Sequence, residues 1–417
     1  MRRIVATVCI VFIASGSALG NGFSIYEASV RANGMLGAFS AYADHVSTIY
    51  YNPAGLSKLE GFQISGGATI IAPRSSFRNL SSLGPTGKKT YMEEQNFTVP
   101  NFYASYQITD NLTAGIGVYA PFGLGSEWPS DWVGRGSAIE TSIQTIFVNP
   151  AIGYTLPDFG IGEIRIGVGL QMAVYGNVKL SRAVTSFNPE GTFALDGDLN
   201  EPAFGYNVGL QYEPMEEVTL GFTYRSKVKT EFEGDANFHS LPVGFPSEST
   251  GGSEITMPSS FVAALNLKPI KGLTTELDFL WWGWTSYDEL KIEFDEAIPA
   301  LGGKTITNER NYKNSIQFRF GAEYDRLGIE GLTIRAGVAH SENPIRERYV
   351  DPTLPDADQW MFSGGLTYSI TDFLDVDASY IFIRSLQRKV TNTRANAIDG
   401  VYNTYANLPG LGLTMKF

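Results

Sequence analysis

The chain has almost no thiol, little histidine and no long apolar run. Its single cysteine, Cys9, lies in a short apolar stretch at residues 4–14 that follows Arg2 and Arg3. Small residues close that stretch, with Ala18 and Gly20 at the two positions a signal peptidase reads. This is the pattern of a secretory signal peptide over residues 1–20, cut after Gly20. Cys9 sits mid-way along the run rather than at its end, which argues against a lipid-anchored cysteine. The mature chain then has no thiol, which excludes a disulfide framework, a thiolate metal site and a cysteine nucleophile. Only His45, His239 and His340 are available as imidazoles. None stands in a recognisable pattern with serine and an acid, so no catalytic residue is assigned.

Two further absences narrow the class. After residue 20 no window holds eighteen uninterrupted apolar residues, so a transmembrane helix is excluded. Positive charge is also scarce. Arg2 and Arg3 are two of 31 basic residues, leaving 29 against 43 acidic ones, a balance that argues against nucleic acid as a partner. What the chain does have is 45 glycines, 21 tyrosines and 26 phenylalanines. An exported, aromatic-rich chain without a spanning helix has one route into a membrane, a closed barrel of amphipathic strands.

Period-two alternation dominates from Phe62 onward. Trp360, Phe362, Leu366, Tyr368 and Ile370 share one parity, against Met361, Ser363, Gly365 and Thr367 on the other. Leu374, Val376, Ala378, Tyr380 and Phe382 oppose Asp375, Asp377 and Ser379, and Ile316, Phe318 and Phe320 oppose Gln317 and Arg319. A soluble sandwich also alternates, so three other features carry the distinction. The apolar parity is continuously bulky, while the other mixes charge with glycine, as a polar lumen does. Short turns near Asp110, Pro157, Pro214, Pro269, Asp325 and Thr371 alternate with long polar segments near 74–96, 123–141, 185–200, 239–252, 285–311, 341–357 and 391–403. Tyr106, Tyr154, Tyr212, Tyr324 and Tyr368 precede five of the short turns, as an interfacial ring does. Six turns and seven loops predict fourteen strands, an even number as bacterial barrels require. The last strand, Leu411, Leu413, Met415 and Phe417 on one parity, ends in phenylalanine.

Residues 21–60 do not alternate, yet carry Phe23, Ile25, Tyr26, Phe39, Tyr50 and Tyr51. They read either as a plug inside the barrel or as a periplasmic tail, and the apolar content favours burial. The organisation is therefore a signal peptide at 1–20, a hatch at 21–60 and an all-β transmembrane barrel at 61–417.

Several boxes carry a family likeness: Gly22-Phe23, Ala43-Asp44, Asn52-Pro53-Ala54, Gly123-Leu124 with Glu127-Trp128, Glu140-Thr141, Tyr224-Arg225-Ser226, and Pro344, Pro355-Asp356, Asp358 and Trp360. In order and spacing the chain resembles the FadL-type outer-membrane transporters of long-chain fatty acids, whose relatives include aromatic-hydrocarbon transporters. The resemblance implies a fourteen-stranded barrel closed by an N-terminal hatch bearing the Asn52-Pro53-Ala54 motif. It implies passive uptake of hydrophobic ligands and sideways release through a gap at a kinked third strand, here Ala120, Pro121, Phe122 and Gly123. Pro121 removes a ladder donor and Gly123 relaxes the backbone, so pairing fails either because the strand kinks or because it has ended.

The resemblance also implies ligand contacts at Phe23, Lys313 and Arg182. Parity puts Lys313 with Gln317 and Arg319 in the lumen. Counting from Glu163, Arg165 and Gln171 puts Lys179 inside and Arg182 outside, unless a bulge near Ala173-Val174-Tyr175 reverses it. The chain departs from the family in a short 185–200 segment and in Ala120, where the family has a polar residue. The expected partners are a fatty acid or hydrocarbon and outer-membrane lipid, for a monomer in the bacterial outer membrane. No cofactor or metal is implied; the acids Asp196, Asp198 and Glu201 read as a solvated loop rather than a cation site. Two other functions compete, a water-filled porin for polar solutes and an outer-membrane hydrolase.

Overall fold

Bulky side chains at alternate positions emerge on the outside of one ring of strands. In a single strand Trp360, Phe362, Leu366 and Tyr368 are exposed, while Gln359, Met361 and Thr367 between them are buried. The last strand turns Leu411, Leu413 and Met415 outward and Gly412 and Thr414 inward. In a soluble sandwich the greasy face is the buried one. Here it is exposed, and only lipid satisfies it.

The computed structural model describes residues 21–82, 84–184, 188, 190–391 and 398–417. The signal-peptide reading of residues 1–20 lies outside them. Fourteen antiparallel strands form the ring, which we number β1 (Phe62–Asn79), β2 (Phe97–Thr109), β3 (Leu112–Tyr119, resuming at Gly123–Glu127), β4 (Glu140–Thr155), β5 (Glu163–Ala183), β6 (Ala203–Met215), β7 (Val218–Arg225), β8 (Ser260–Ile270), β9 (Leu273–Trp282), β10 (Ser315–Tyr324), β11 (Leu332–Ser341), β12 (Gln359–Thr371), β13 (Leu374–Ser385) and β14 (Gly400–Lys416). Each pairs with the next, and β14 pairs back onto β1 from Gln63↔Lys416 to Asn79↔Gly400. Backbone bonds between Phe62 and Phe417 fasten the seam at 2.8 and 3.0 Å. Closure leaves the sheet no outer edge strand.

Six short connections lie at one end, with Tyr106, Tyr154 and Tyr368 exposed on the outer wall beside them. At the other end, strands run into the expected loops 185–200, 239–252 and 285–311. Thr192–Leu199, Val228–His239, Glu248–Met257, Glu289–Ile298 and Gly303–Glu309 extend β6 to β10 beyond the greasy band. Along these extensions the outward positions turn polar (Glu231, Glu233, Asp235, Glu293), while Phe232, Ile292 and Phe294 stay buried. The polar composition read as loop marks only where the outer face leaves lipid.

Residues 21–59 contain no strand, only the single-turn helices α1 (Val30–Asn33) and α2 (Thr48–Tyr51) and a 3-10 helix, Pro53–Lys58. Almost all of this segment is buried, against the lumen-facing side chains of the ring. Wall glycines let its backbone approach. A Cβ on Gly167 of β5 would lie 2.2 Å from the Pro53 carbonyl carbon, and one on Gly209 of β6 would lie 2.0 Å from Asn52 Oδ1. Neither distance is sterically allowed, so these two strand positions accept glycine alone. Asn52 itself caps the 3-10 helix by accepting from Ala54 N at 3.1 Å, while its amide donates to Ser40 O at 2.7 Å and Leu210 O at 3.2 Å. From the wall, Glu276 of β9 accepts from Ala41 N (2.8 Å) and Tyr42 N (2.6 Å), and Arg225 of β7 donates to Tyr50 O at 2.6 Å.

Candidate functional site

The third strand breaks where Pro121 falls. β3 pairs with β4 up to Tyr119↔Phe147 and again from Gly123↔Gln144, so β3 spends one residue more than its partner across the break. Freed from the ladder, the backbone bonds inward. Pro121 O accepts from Ile25 N at 2.8 Å, Gly123 N donates to Phe23 O at 2.9 Å, and Phe122 bridges Ser24. The strand has therefore kinked rather than ended, because it resumes through Glu127 in register with β4. On its other side the loss is larger. β2 pairs with β3 from Phe102↔Val118 downward, and Phe97 to Asn101 have ladder partners only on β1. The lower wall thus carries an unpaired edge on β2, opposite Ala120 to Gly123.

That edge is apolar on its inner side. Phe97 and Val99 of β2 and Ala120 at the kink cluster with Ile25 and Leu36 of the inner segment. The same cluster continues through Ile71 of β1, Leu408 and Ala406 of β14, Ile381 and Ile383 of β13, Met361 of β12 and Ala339 of β11. A β-barrel lumen of this size is ordinarily polar, so a greasy inner belt over seven strands is unusual.

Above the inner segment lies a narrow cavity of roughly 60 Å³. Its floor is Phe23, which packs edge-on against Trp284 (4.7 Å between ring centroids), Tyr287 (5.4 Å) and Phe122 (6.2 Å). The walls are Ile143, Val178, Leu195, Ile255, Ile292 and Leu354, with Tyr312 at one side. Two cations reach it. Lys179 is tied to Asp196 at 3.2 Å. Arg310 is buried, gives Nη1 to Asp351 Oδ2 at 2.7 Å and to Thr353 Oγ1 at 3.4 Å, and leaves its buried Nε without a partner. An unmet guanidinium donor beside an apolar space favours a ligand that brings an acceptor. Burial raises the hydroxyl pKa of both Tyr287 and Tyr312, which keeps them as neutral neighbours.

The predicted ligand residues fall differently. Phe23 is in the cavity floor. A bulge does interrupt β5: Ile146 pairs with Tyr175 but Phe147 with Ala173, and Val174 and Tyr175 are both exposed. Beyond it, Arg182 shares the parity of the buried Gly176 and Val178 and sits over the Phe193 ring at 5.9 Å, outside the cavity lining. Lys313 is exposed. It precedes β10, which starts at Ser315, so the parity that places Gln317 and Arg319 in the lumen does not extend back to it. Sequence reasoning missed Arg310, Asp351 and Tyr287, which lie in segments taken as loops, and Trp284 and Tyr312, which flank one of them; the density of aromatics at 281–287 was the signal available.

A strap over the cavity joins it to the inner segment. Asp356 Oδ2 accepts from Gly22 N at 3.0 Å, and Oδ1 accepts from Ala357 N at 2.7 Å. Burial pushes Asp356 up to about 7, although those two N–H groups pull the other way. His45 lies far down the inner segment between Ser47 Oγ and Thr414 Oγ1, both at 2.9 Å, and burial pushes it down to about 4. His340 packs on Trp360 at 4.9 Å. Asp196 and Asp198 both accept from Asn177 Nδ2 at 2.9 Å, and no described cluster of histidines and acids has metal-ligand geometry.

Residues 11–417 match the family described as outer membrane protein transport protein (OMPP1/FadL/TodX). The chain is 24% identical to the long-chain fatty acid transport protein of Escherichia coli O6:H1, over 89% of each chain. Its fold is similar to a Pseudomonas aeruginosa FadL homologue, with a TM-score of 0.80 at 18% identity over 95% of this chain and 100% of that one. It is also similar to the Pseudomonas putida toluene transporter TodX, with a TM-score of 0.71 at 17% identity over 97% and 100%.

Proposed function

This chain belongs to the OMPP1/FadL/TodX family of outer-membrane transport proteins, and on that premise we propose that it passively takes up hydrophobic molecules, long-chain fatty acids foremost. The observation that carries the choice is Arg310, a buried cation whose Nε has no partner, on a cavity lined mostly by apolar side chains. A hydrocarbon leaves that donor unmet; a carboxylate satisfies it. The toluene transporter named above gives the aromatic-hydrocarbon alternative, and the E. coli relative the fatty acid one.

In this reading residues 21–60 are the hatch, after removal of 1–20 as a signal peptide. The ligand enters from the long-loop end, buries its chain against Phe23 and its neighbours, and sets its head on Arg310. Each methylene buried contributes about 0.8 kcal/mol, enough to draw a long chain from dilute solution. Strain between the ligand and Phe23 pulls on the backbone bonds from Phe23 and Ile25 to the kink. The chain then leaves between Phe97–Asn101 of β2 and the residues Ala120, Pro121, Phe122 and Gly123, directly into lipid. No unpaired strand edge is better suited to this, since it needs no ladder to be broken. The whole route lies within one barrel, so a monomer suffices, and no step is catalytic.

The test is binding by the purified protein in detergent, comparing a fatty acid with the alkane of equal carbon count. Arg310→Met should weaken the fatty acid by about tenfold or more and leave the alkane unchanged, since a charge-assisted hydrogen bond is worth roughly 1.5–3 kcal/mol. Equal loss for both ligands, or none for either, refutes the head-group assignment.

A further inference from the structure

Strand register lines up side chains at one height on the outer wall. The pairings Phe318↔His340, His340↔Trp360, Trp360↔Arg384, Arg384↔Tyr405 and Tyr405↔Arg74 run in a single row from β10 through β14 to β1. Directly opposed residues share a face of the sheet. Phe318, Trp360 and Tyr405 are exposed, so the whole row points outward. Aromatics at one level of a barrel wall mark the membrane interface, and here two arginines stand among them.

Four residues further along β14 lies a second outward row. It runs Lys389↔Val401, Val401↔Arg78 and Arg78↔Lys89, where Lys389 belongs to the short strand Arg388–Val390 after β13 and Lys89 to Lys89–Tyr91 after β1. Between the rows stand Asn403, Ser76 and Tyr91, paired in that order. Five cations (Arg74, Arg78, Lys89, Arg384 and Lys389) thus share one face, within about 14 Å across the strands and about 13 Å along them.

Cations elsewhere on the long-loop rim are neutralised by neighbours. Lys229 meets Glu254 at 2.7 Å, Lys291 meets Glu293 at 2.8 Å and Lys179 meets Asp196 at 3.2 Å. In this sector Arg74 reaches the exposed Glu94 at 3.3 Å. Among the described residues Arg78, Lys89, Arg384 and Lys389 have no ion pair. Arg78 and Lys89 even stand directly opposite each other, a like-charge pairing that destabilises a sheet unless an anion lies between them. The chain as a whole carries −12, so this concentration of positive charge runs against its composition. Immediately below, the outward side chains of the same strands are Phe382, Tyr380, Leu411 and Ile70, which face lipid. An anion that satisfies both levels has a charged head and greasy tails.

We propose that the outer face of β13, β14 and β1 at the long-loop end binds a phosphorylated lipid of the outer leaflet. Arg384 and Arg74 hold one phosphate at the level of the aromatic row, where a guanidinium can bond two oxygens at once. Arg78, Lys89 and Lys389 hold a second phosphate above it. The acyl chains lie on Tyr380, Phe382 and Ile70. Because β1 pairs with β2 at Ile71↔Phe97, the bound lipid stands one strand away from the unpaired edge of β2.

The experiment titrates the full barrel in nonionic detergent with diphosphoryl lipid A, its monophosphoryl form and phosphatidylcholine, with bound lipid counted by native mass spectrometry. The diphosphoryl lipid should bind about fivefold or more tighter than the monophosphoryl one, and phosphatidylcholine weakest. Each Lys or Arg at an anionic surface is worth about fivefold in affinity. Arg384→Gln with Lys389→Gln, and separately Arg78→Gln with Lys89→Gln, should therefore each weaken the diphosphoryl lipid roughly twentyfold. The two pairs lie on different strands, so one remains informative if the other fails to fold. Lys229→Gln with Lys291→Gln should leave binding unchanged. Affinity undiminished in both patch variants overturns the proposal, as does an equal loss in the Lys229 and Lys291 variant. Competition by inorganic pyrophosphate at the concentration of the lipid also overturns it, because the patch then binds a free anion and not a lipid.

Discussion

Gly209→Val should unseat the inner segment. The added Cβ falls 2.0 Å from Asn52 Oδ1, 2.9 Å from Pro53 Cδ and 3.1 Å from Ala54 N. Overpacking of this kind costs about 1–3 kcal/mol where the site cannot relax. Relaxation here means moving Asn52, whose side chain bonds Ser40 O, Leu210 O and Ala54 N. Those bonds are worth about 1 kcal/mol each. A loss near 4 kcal/mol shifts the ratio of seated to unseated segment by about a thousandfold. The readout is single-channel conductance in a planar bilayer, with limited proteolysis in parallel. Wild type should be nearly silent; Gly209→Val should open often and large, and protease should remove residues 21–59 while the barrel stays intact. Gly66→Val is the control, since a Cβ there meets nothing closer than 3.9 Å. If Gly209→Val conducts and resists protease as wild type does, residues 21–59 do not obstruct the lumen. A wild type that already carries a large steady current sinks the same idea and favours a porin.

Three further outcomes are expected. Asp356 titrates near 7 when docked, above the roughly 3.9 of a free aspartate, so docking of the strap on Gly22 is complete below about pH 4 and lost as pH rises through 7; channel opening should rise over that window, and Asp356→Asn should flatten the profile. Arg225→Met removes the guanidinium that holds Tyr50 O and the Tyr119 hydroxyl and leaves Gln171 Oε1 unmatched, so the temperature at which the folded barrel changes its gel mobility should fall by an amount equivalent to about 1.5–3 kcal/mol; an unchanged temperature refutes the clamp. Val99→Cys combined with Ala120→Cys should block uptake when the pair is joined by a short cross-linker and restore it on reduction, and uptake that ignores the cross-link rules out the gap between β2 and β3 as the exit.

Lipid-facing strands were legible because one period governs them: Phe318 and Phe320 outward against Gln317 and Arg319 inward needs no tertiary knowledge. The count of fourteen was legible for the same reason, since short turns and long connections alternate. Legibility failed where the solvent changed. Once β9 and β10 rise out of the lipid, Glu293 and Asp295 occupy positions that greasy residues hold lower down, and the segment passes for a loop. Arg310 was lost inside it. Lys313 was misplaced by extending a parity past the end of its strand, and Arg182 could be placed only with the bulge at Val174-Tyr175, which alternating composition does not announce. The glycine approaches at Gly167 and Gly209 were invisible for a different reason, as each depends on a backbone more than a hundred residues away.

Those distant contacts bear on how the molecule comes together. Residues 21–59 bind Glu276, Glu323, Asp356 and Thr414, all of which lie far downstream in the chain. Contacts so remote along the chain cannot form until the intervening loop entropy has been overcome. The inner segment can therefore settle only on wall strands already in place, which couples the closing of the barrel's centre to the completion of its rim.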